Sequence, residues 1–342
     1  MNSISRSMPL VFTQVSKNTS LSVVKLVRPI NRDEEKKKFY FDAKYNPQFQ
    51  YAEEVTKQDL EKFGKISDKY LPQALHILET VKKKWEDEEK YLAEVEGPVL
   101  SREEMVEETK NYLLENGVSN LVQVRFSSQV ASHATMDKNV LTFQLPIAQR
   151  KYRMRGTLNH EVGTHFFRTI NDETQPWHNN REKYDLVPFY ETEEGLAVLH
   201  AHLTIEQPYL WYAALYYYAV WRGTHLSFSA LNEDLKQFVS DRDRRWGMCL
   251  RVKRGIKDTS IPGAFSKDQM YFRGTINMLE WLDNNEYDAR PLYLGKIATH
   301  DLPKAKSVST AVQLLKFPAF LAPEKHEEYK TAIERIRKIN DL

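Results

Sequence analysis

The segment Asn159-His160-Glu161-Val162-Gly163-Thr164-His165 constrains this chain more than any other. It reads H-E-x-x-x-H. The more familiar zinc-peptidase spacing is H-E-x-x-H, whose two histidines share one helical face. One extra residue sets the rings roughly 140° apart around a regular helix, against roughly 40° for the shorter spacing. Both can face one ion only where the helix is overwound or bulged between them. A single-turn π-bulge does this, and such bulges are frequent at functional sites. Gly163 lies inside the motif and is expected to lower the cost of the distortion.

Catalytic zinc generally takes three protein ligands and one water, so two histidines leave a ligand to be found. Thr192-Glu193-Glu194-Gly195-Leu196-Ala197 offers carboxylates at the start of a following helix and suits a His₂Glu site. Glu161 is then the candidate general base. It takes a proton from zinc-bound water as that water attacks a carbonyl, and passes it to the leaving amine. Each segment alone has a plain structural explanation. An H-E-x-x-x-H arises by chance in about 0.02 of chains of this composition, and its histidines can be packing or capping residues. Thr192 can cap a helix whose first-turn glutamates favour the dipole. The pairing of the two segments is what points to a metal: the site lacks a ligand and the next helix supplies one.

Such a mechanism needs no cysteine, and the chain has only Cys249, read as a buried, inert thiol. A single cysteine excludes an internal disulfide framework and an all-cysteine zinc site, and a reducing compartment follows. The 342 residues suffice for about two domains or one large one. With 49 basic and 47 acidic side chains the net charge is +2, without the basic excess of a general nucleic-acid binder. The most apolar stretch, 209–221, is too short for a bilayer, which needs ~20 residues. It reads as a buried, tyrosine-rich core helix, and no membrane span is expected. The opening MNSISRSMPLVF carries no secretory signal pattern.

Along the chain, 1–45 reads as an irregular basic N-terminal segment, with a strand candidate at 21–26 and a solvated lysine run at 36–38. Residues 46–342 read as one domain in three parts. The first, 46–117, is helical: Pro72 breaks or starts a helix, Ser101 and Glu104 form a capping box, and Asn116-Gly117 is a stop. The second, 118–150, is a small sheet. Alternating segments at 122–126 and 140–145, with a turn-like 136–139 between them, suggest a hairpin or small sheet. The third, 151–342, holds the metal segments and further helices, at about 155–170, 192–205 and from 209. The fold class is α+β with helices dominating and a small sheet beside the motif helix.

A second conspicuous segment, 242–257, has seven basic residues against Asp243 alone. It reads as a docking surface for an acidic peptide, as a guanidinium clamp for a terminal carboxylate, or as a solvated helix face. In the loop beyond it, Lys267 and Tyr271 can reach a substrate carbonyl or carboxylate. His178 is a fourth-ligand or substrate-contact candidate, though a structural role is the simpler reading, as for His133.

NHEVGTH (159–165), QPWHN (175–179), TEEGLA (192–197) and KRGIKDTSIPGAFSKDQMY (253–271) stand in the same order as in a known family. From about Tyr51 onward the chain resembles the microtubule-associated tyrosine carboxypeptidases. The resemblance implies a gluzincin-like zinc metallopeptidase holding one Zn²⁺ per chain through His160, His165 and Glu194, with Glu161 catalytic. It implies removal of the C-terminal tyrosine of α-tubulin, binding to microtubules, and a place in the cytoplasm on the microtubule cytoskeleton. The segment before residue 45 resembles the family less, and a longer N-terminal extension is expected. An exopeptidase needs a cation for the terminal carboxylate, with Arg254, Lys253 and Lys267 as candidates, and an aromatic pocket for the ring. The extended tail would lie along the edge strand of the small sheet. Two other readings are a microtubule-binding module with a structural zinc, which leaves Glu161 without a purpose, and an endopeptidase of other substrate.

Overall fold

In a computed structural model, the structure describes residues 23–128, 130 and 132–342. One hydrophobic cluster runs from Phe39 to Ile336 and gathers helices from every part of that span. The helix Leu71–Trp85 begins with Pro72 in its first turn, where a missing N–H costs nothing, and buries Ala74, Ile77, Leu78, Val81 and Trp85. Arg102–Glu115 opens on the expected capping box: Ser101 Oγ accepts from the Glu104 N–H and the Glu104 carboxylate accepts from the Ser101 N–H. It ends at Asn116, with Gly117 at φ 65°. The tyrosine-rich helix Trp211–Gly223 is buried on nearly every side. It packs on Leu71–Trp85, Gln269–Asp283 and the basic helix Arg242–Lys253. Among the described residues no helix is long and apolar enough to cross a membrane.

Two expectations for the N-terminal region change. The strand candidate at 21–26 is a helical turn at Val23–Leu26, its first two residues lying outside the described ones. The segment read as irregular carries the helix Arg32–Phe41. Its amphipathic signal is weak because a single residue, Phe39, anchors it, edge-on to Phe228 at 5.2 Å and against Trp246 at 5.3 Å. Buried Glu35 on the same helix accepts from Lys38 Nζ, Tyr45 Oη and the Gln48 N–H. The opening segment tested for a secretory signal lies outside the described residues.

Among the described residues the sheet has three strands, β1 (Gln123–Ser127), β2 (Ala134–Asp137) and β3 (Val140–Gln144), in the order β1-β3-β2. The two segments singled out by alternation are neighbours, but they run parallel, Val124 beside Leu141. The hairpin partner of β3 is β2, paired antiparallel through Lys138, at φ 53°, and Asn139. The strand was hidden because only four residues long, and its Asp137 ends the alternation. This order leaves β2 at the edge of the sheet, against the motif helix.

Candidate active site

The motif helix runs without a break from Lys151–Leu158 through Asn159–Phe166 to Phe167–Asp172, and the central segment, which holds the whole motif, is π-helical. A π-turn bonds i to i+5, so residues five apart stack on one face. The rings of His160 and His165 lie 4.8 Å apart, nearly perpendicular at 81°. Thr164 braces the wide turn by donating from its hydroxyl to the carbonyl of Asn159, five residues back, at 2.9 Å. Gly163 serves a different purpose from the one its position suggested. Its backbone is not in the left-handed region. A Cβ there would meet a Phe320 ring carbon at 2.6 Å and the Tyr112 hydroxyl at 2.7 Å, so the glycine answers close packing.

The third group comes from the helix Tyr190–His202. That helix begins before Thr192, so Thr192 is not its cap; its hydroxyl accepts from the Thr299 N–H at 3.2 Å. Gly195 lies against the backbone of Gly274 on Gln269–Asp283, which locks the height of the glutamate pair. Glu194 Oε2 stands 3.8 Å from His160 Nε2 and 3.7 Å from His165 Nε2. One ligand atom from each of the three residues lies within 4.8 Å of the other two. Ligand atoms on a tetrahedral zinc are ~3.3 Å apart, so small side-chain adjustments close the set, and two imidazoles with one carboxylate suit that ion.

Glu193, next to it, faces the other side of His165. Its Oε1 accepts from His165 Nδ1 at 2.8 Å and from Lys296 Nζ at 2.8 Å, and its Oε2 accepts from buried Arg168. Burial would raise the Glu193 carboxyl, but Arg168, Lys296 and His165 hold it well below the usual range. With Nδ1 tied to this carboxylate, Nε2 of His165 is left for the shared site. Burial lowers the His165 pKa, yet hydrogen bonding and charge from Glu193 raise it overall. Burial, and then the neighbouring His165, holds His160 well below the usual histidine range.

Glu161 points from the same turns toward β2, where its Oε2 accepts from the Met136 N–H at 2.7 Å. Burial raises its pKa, opposed by His165. All four residues line a cavity of about 610 Å³ whose wall includes His133 and, from the edge strand, Ala134 to Met136. Lys267 and Tyr271 enter the same cavity, with Lys267 Nζ 3.1 Å from Tyr271 Oη and 3.7 Å from Glu194 Oε1.

The other expected substrate contacts go elsewhere. Lys253 is fully buried and donates to the carbonyls of Gly223 (2.9 Å), Gly263 (2.8 Å), Leu226 and Ile261. Burial lowers its pKa to about 8. Arg254 bonds Asp268 and covers Phe265, and His178 bonds Asp172 at 2.9 Å; neither lines the cavity. Three more cations of the segment are paired, Arg251 with Asp268, Arg244 with Glu88 and Glu89, and Arg245 with the carbonyls of Val239 and Ser240, while Arg242 and Lys257 are exposed. Most of its charges turn inward, so the segment as a whole is not a solvated face. Arg251 and Arg244 do reach the cavity wall. Residues the sequence reading missed are Glu193 as the partner of His165, Arg168 and Lys296 behind it, and Glu96, Arg153 and His202 in the cavity. Arg168 carried a signal, one turn after His165 on the same helix; Lys296 carried none.

Two histidines and a glutamate converging beside a buried, backbone-anchored glutamate, in a cleft bordered by an edge strand, define a candidate metallohydrolase centre. The chain belongs to the microtubule-associated tyrosine carboxypeptidase family, whose model matches residues 49–341. It is 36% identical over 329 residues to the putative tyrosine carboxypeptidase MATCAP2 of Mus musculus, covering 94% of this chain and 62% of that relative. It is 36% identical to microtubule-associated tyrosine carboxypeptidase 1 of Rattus norvegicus, covering 95% of this chain and 70% of that relative. Against the Homo sapiens protein of that name, identity is 39% over 285 residues, 81% of this chain and 60% of the relative. The chain therefore spans about two thirds of the length of the curated relatives it matches.

Proposed function

We propose that this chain is a zinc-dependent carboxypeptidase of gluzincin-like architecture that removes the C-terminal tyrosine of α-tubulin, acting in the cytoplasm on microtubules. The observation that carries the metal reading is the convergence of His160, His165 and Glu194 with Glu161 beside them. The family relatives carry the substrate reading through their names.

His160, His165 and Glu194 would hold the ion, with Glu193 fixing the tautomer and orientation of His165. When bound, zinc supplies Lewis acidity for the scissile carbonyl and eases loss of a proton from water. Glu161 accepts that proton and returns it to the leaving amine; the Met136 N–H holds one of its oxygens in place for both steps. The tail lies extended along the outer edge of β2, as a further strand would. Lys267 would meet a terminal carboxylate near the reacting bond, a role supported by its position beside Glu194 and Tyr271 in the cavity.

The test is mass spectrometry of a synthetic α-tubulin tail peptide incubated with wild type or Glu161→Gln, zinc content being measured in both. Loss of one tyrosine with wild type only, at equal zinc content, is the expected result. An uncut peptide and uncut microtubules with zinc bound would overturn the proposal. Undiminished cleavage of a tail with an amidated C-terminus would make the enzyme an endopeptidase instead.

A further inference from the structure

The cavity has a second polar cluster, about two helical turns from the three converging side chains. Arg153 stands on the motif helix seven residues before His160, and His202 stands eight residues after Glu194 on the neighbouring helix. Two helical turns correspond to ~11 Å, so both lie about that far from the ligands along the helix axes. They meet there: Arg153 Nη1 is 3.0 Å from His202 Nε2. His202 Nδ1 is 2.7 Å from the Val198 carbonyl, to which it can only donate. Its Nε2 is therefore the acceptor for the guanidinium, and the ring is neutral; burial lowers its pKa to about 3. Glu96, from the π-helical Leu92–Glu96, completes the cluster with Oε1 3.6 Å from Arg153 Nε. Its side chain is only 7% exposed, and burial raises its pKa against the pull of Arg153 and Arg150. That 3.6 Å approach is too long for a full hydrogen bond. Val198 and Ala201 lie between Glu194 and His202 on their helix, and Tyr212, Ala213 and Tyr216 line the same cavity. Arg153 lies over the Tyr212 ring at 6.0 Å.

We infer that Glu96 and Arg153 recognise the phenolic hydroxyl of the substrate's terminal tyrosine, with His202 positioning Arg153, so that the cavity selects tyrosine over phenylalanine. The inference rests on the carboxypeptidase reading and adds the residues that choose the leaving amino acid. A phenol donates one hydrogen bond and accepts others, which matches a carboxylate and a guanidinium that do not fully satisfy each other. The length is right: an extended tyrosine places its oxygen about 8 Å from the scissile carbonyl carbon by standard bond lengths. A terminal carboxylate sits much closer to that carbon and is within reach of Lys267, not of Arg153. Glutamate in the leaving position would end short of the cluster. Phenylalanine fills the apolar wall but leaves Glu96 and Arg153 desolvated without a new partner. Since the two retain each other, the expected discrimination is about 10- to 100-fold, below that of a site with wholly unpaired groups.

The experiment compares kcat/KM on two acidic tail peptides that differ only in ending Glu-Glu-Tyr or Glu-Glu-Phe, with purified wild type, Glu96→Gln and Glu96→Met. Wild type is expected to prefer tyrosine about 10- to 100-fold. Glu96→Gln keeps an acceptor oxygen and should retain most of that ratio; Glu96→Met should bring it within about threefold of unity. Equal wild-type rates on the two peptides would overturn the inference while leaving the carboxypeptidase reading intact, and this measurement needs no variant to fold. Cleavage of neither peptide, with both tails uncut on microtubules as well, would overturn both. Arg153→Met supplies the last arm. If Arg153 instead held the terminal carboxylate, its loss would slow the two peptides equally with the ratio unchanged, and the inference would fall.

Discussion

The motif segment 159–165 and the basic segment 242–257 are the two most conspicuous stretches of this sequence, and the structure treats them in opposite ways. The first turns its two histidines and a glutamate into a shared cavity. The second turns most of its positive charges into the protein, onto Asp268, Glu88, Glu89 and six backbone carbonyls. The difference lies in what each pattern specifies. H-E-x-x-x-H is a spacing, and spacing on a helix dictates direction. Seven cations are a count, and a count says nothing about direction until acidic and carbonyl partners from distant parts of the chain arrive.

The comparison can be broken most decisively at the motif. His165→Ala should lower zinc retention by more than about 100-fold, whereas Glu193→Gln, which removes the negative charge shared by His165, Lys296 and Arg168 but keeps an acceptor oxygen, should cost about 10- to 100-fold. Metal analysis after dialysis against graded chelator reads both, and stoichiometric zinc in His165→Ala would strike it from the ligand set. At the basic segment the prediction reverses: stability suffers, chemistry does not. Lys253→Met leaves four carbonyls without their shared donor and should destabilise the fold by about 3 kcal/mol. The urea midpoint reads the loss, and kcat on the tail peptide should stay within about twofold in the protein that remains folded. A raised KM with an unchanged midpoint would restore the docking role that its burial denies.

A smaller effect separates the buried histidines from the exposed charges. His200, bonded to Thr164 behind the motif, and His202 both have pKa values lowered to about 3 by burial. Unfolded, each titrates near 6.5. Below that value the unfolded chain binds protons the native state refuses, so their contribution is complete above pH 6.5 and declines as pH falls toward 3. The slope is at most about 1.4 kcal/mol per pH unit for each ring. Urea unfolding followed between pH 7 and 5 should show that decline, shallower in His200→Gln by up to one proton. An unchanged slope would mean that the ring is protonated in the native state.

Much of the site was legible beforehand. The π-helix followed from the one-residue excess in the motif, and the need for a third ligand pointed to the glutamate pair. The pair itself could not be resolved by spacing, because Glu193 and Glu194 are adjacent and project on different sides of one helix; only the placement of His165 between them separates their roles. The capping box at Ser101 and the proline start at Leu71 were local features and stood. The parallel pairing of β1 with β3 was not local: alternation marks a strand but carries no sign of its partner or sense. Glu96, Arg153 and His202 were invisible for the same reason, since their sequence neighbours give no hint that they share a cavity.

The sequence by itself determined what depends on neighbours along one helix: the motif's wide turn, the capped start at Ser101, the apolar faces and the facing of the two motif histidines. Backbone geometry converts those spacings into directions before any tertiary contact forms. Tertiary structure alone decided which glutamate meets both imidazoles, which edge of the sheet borders the cleft, and which cations face substrate rather than carbonyls. Those outcomes depend on groups far apart in the chain, and burial makes each charge adopt whatever partner the packing brings within reach.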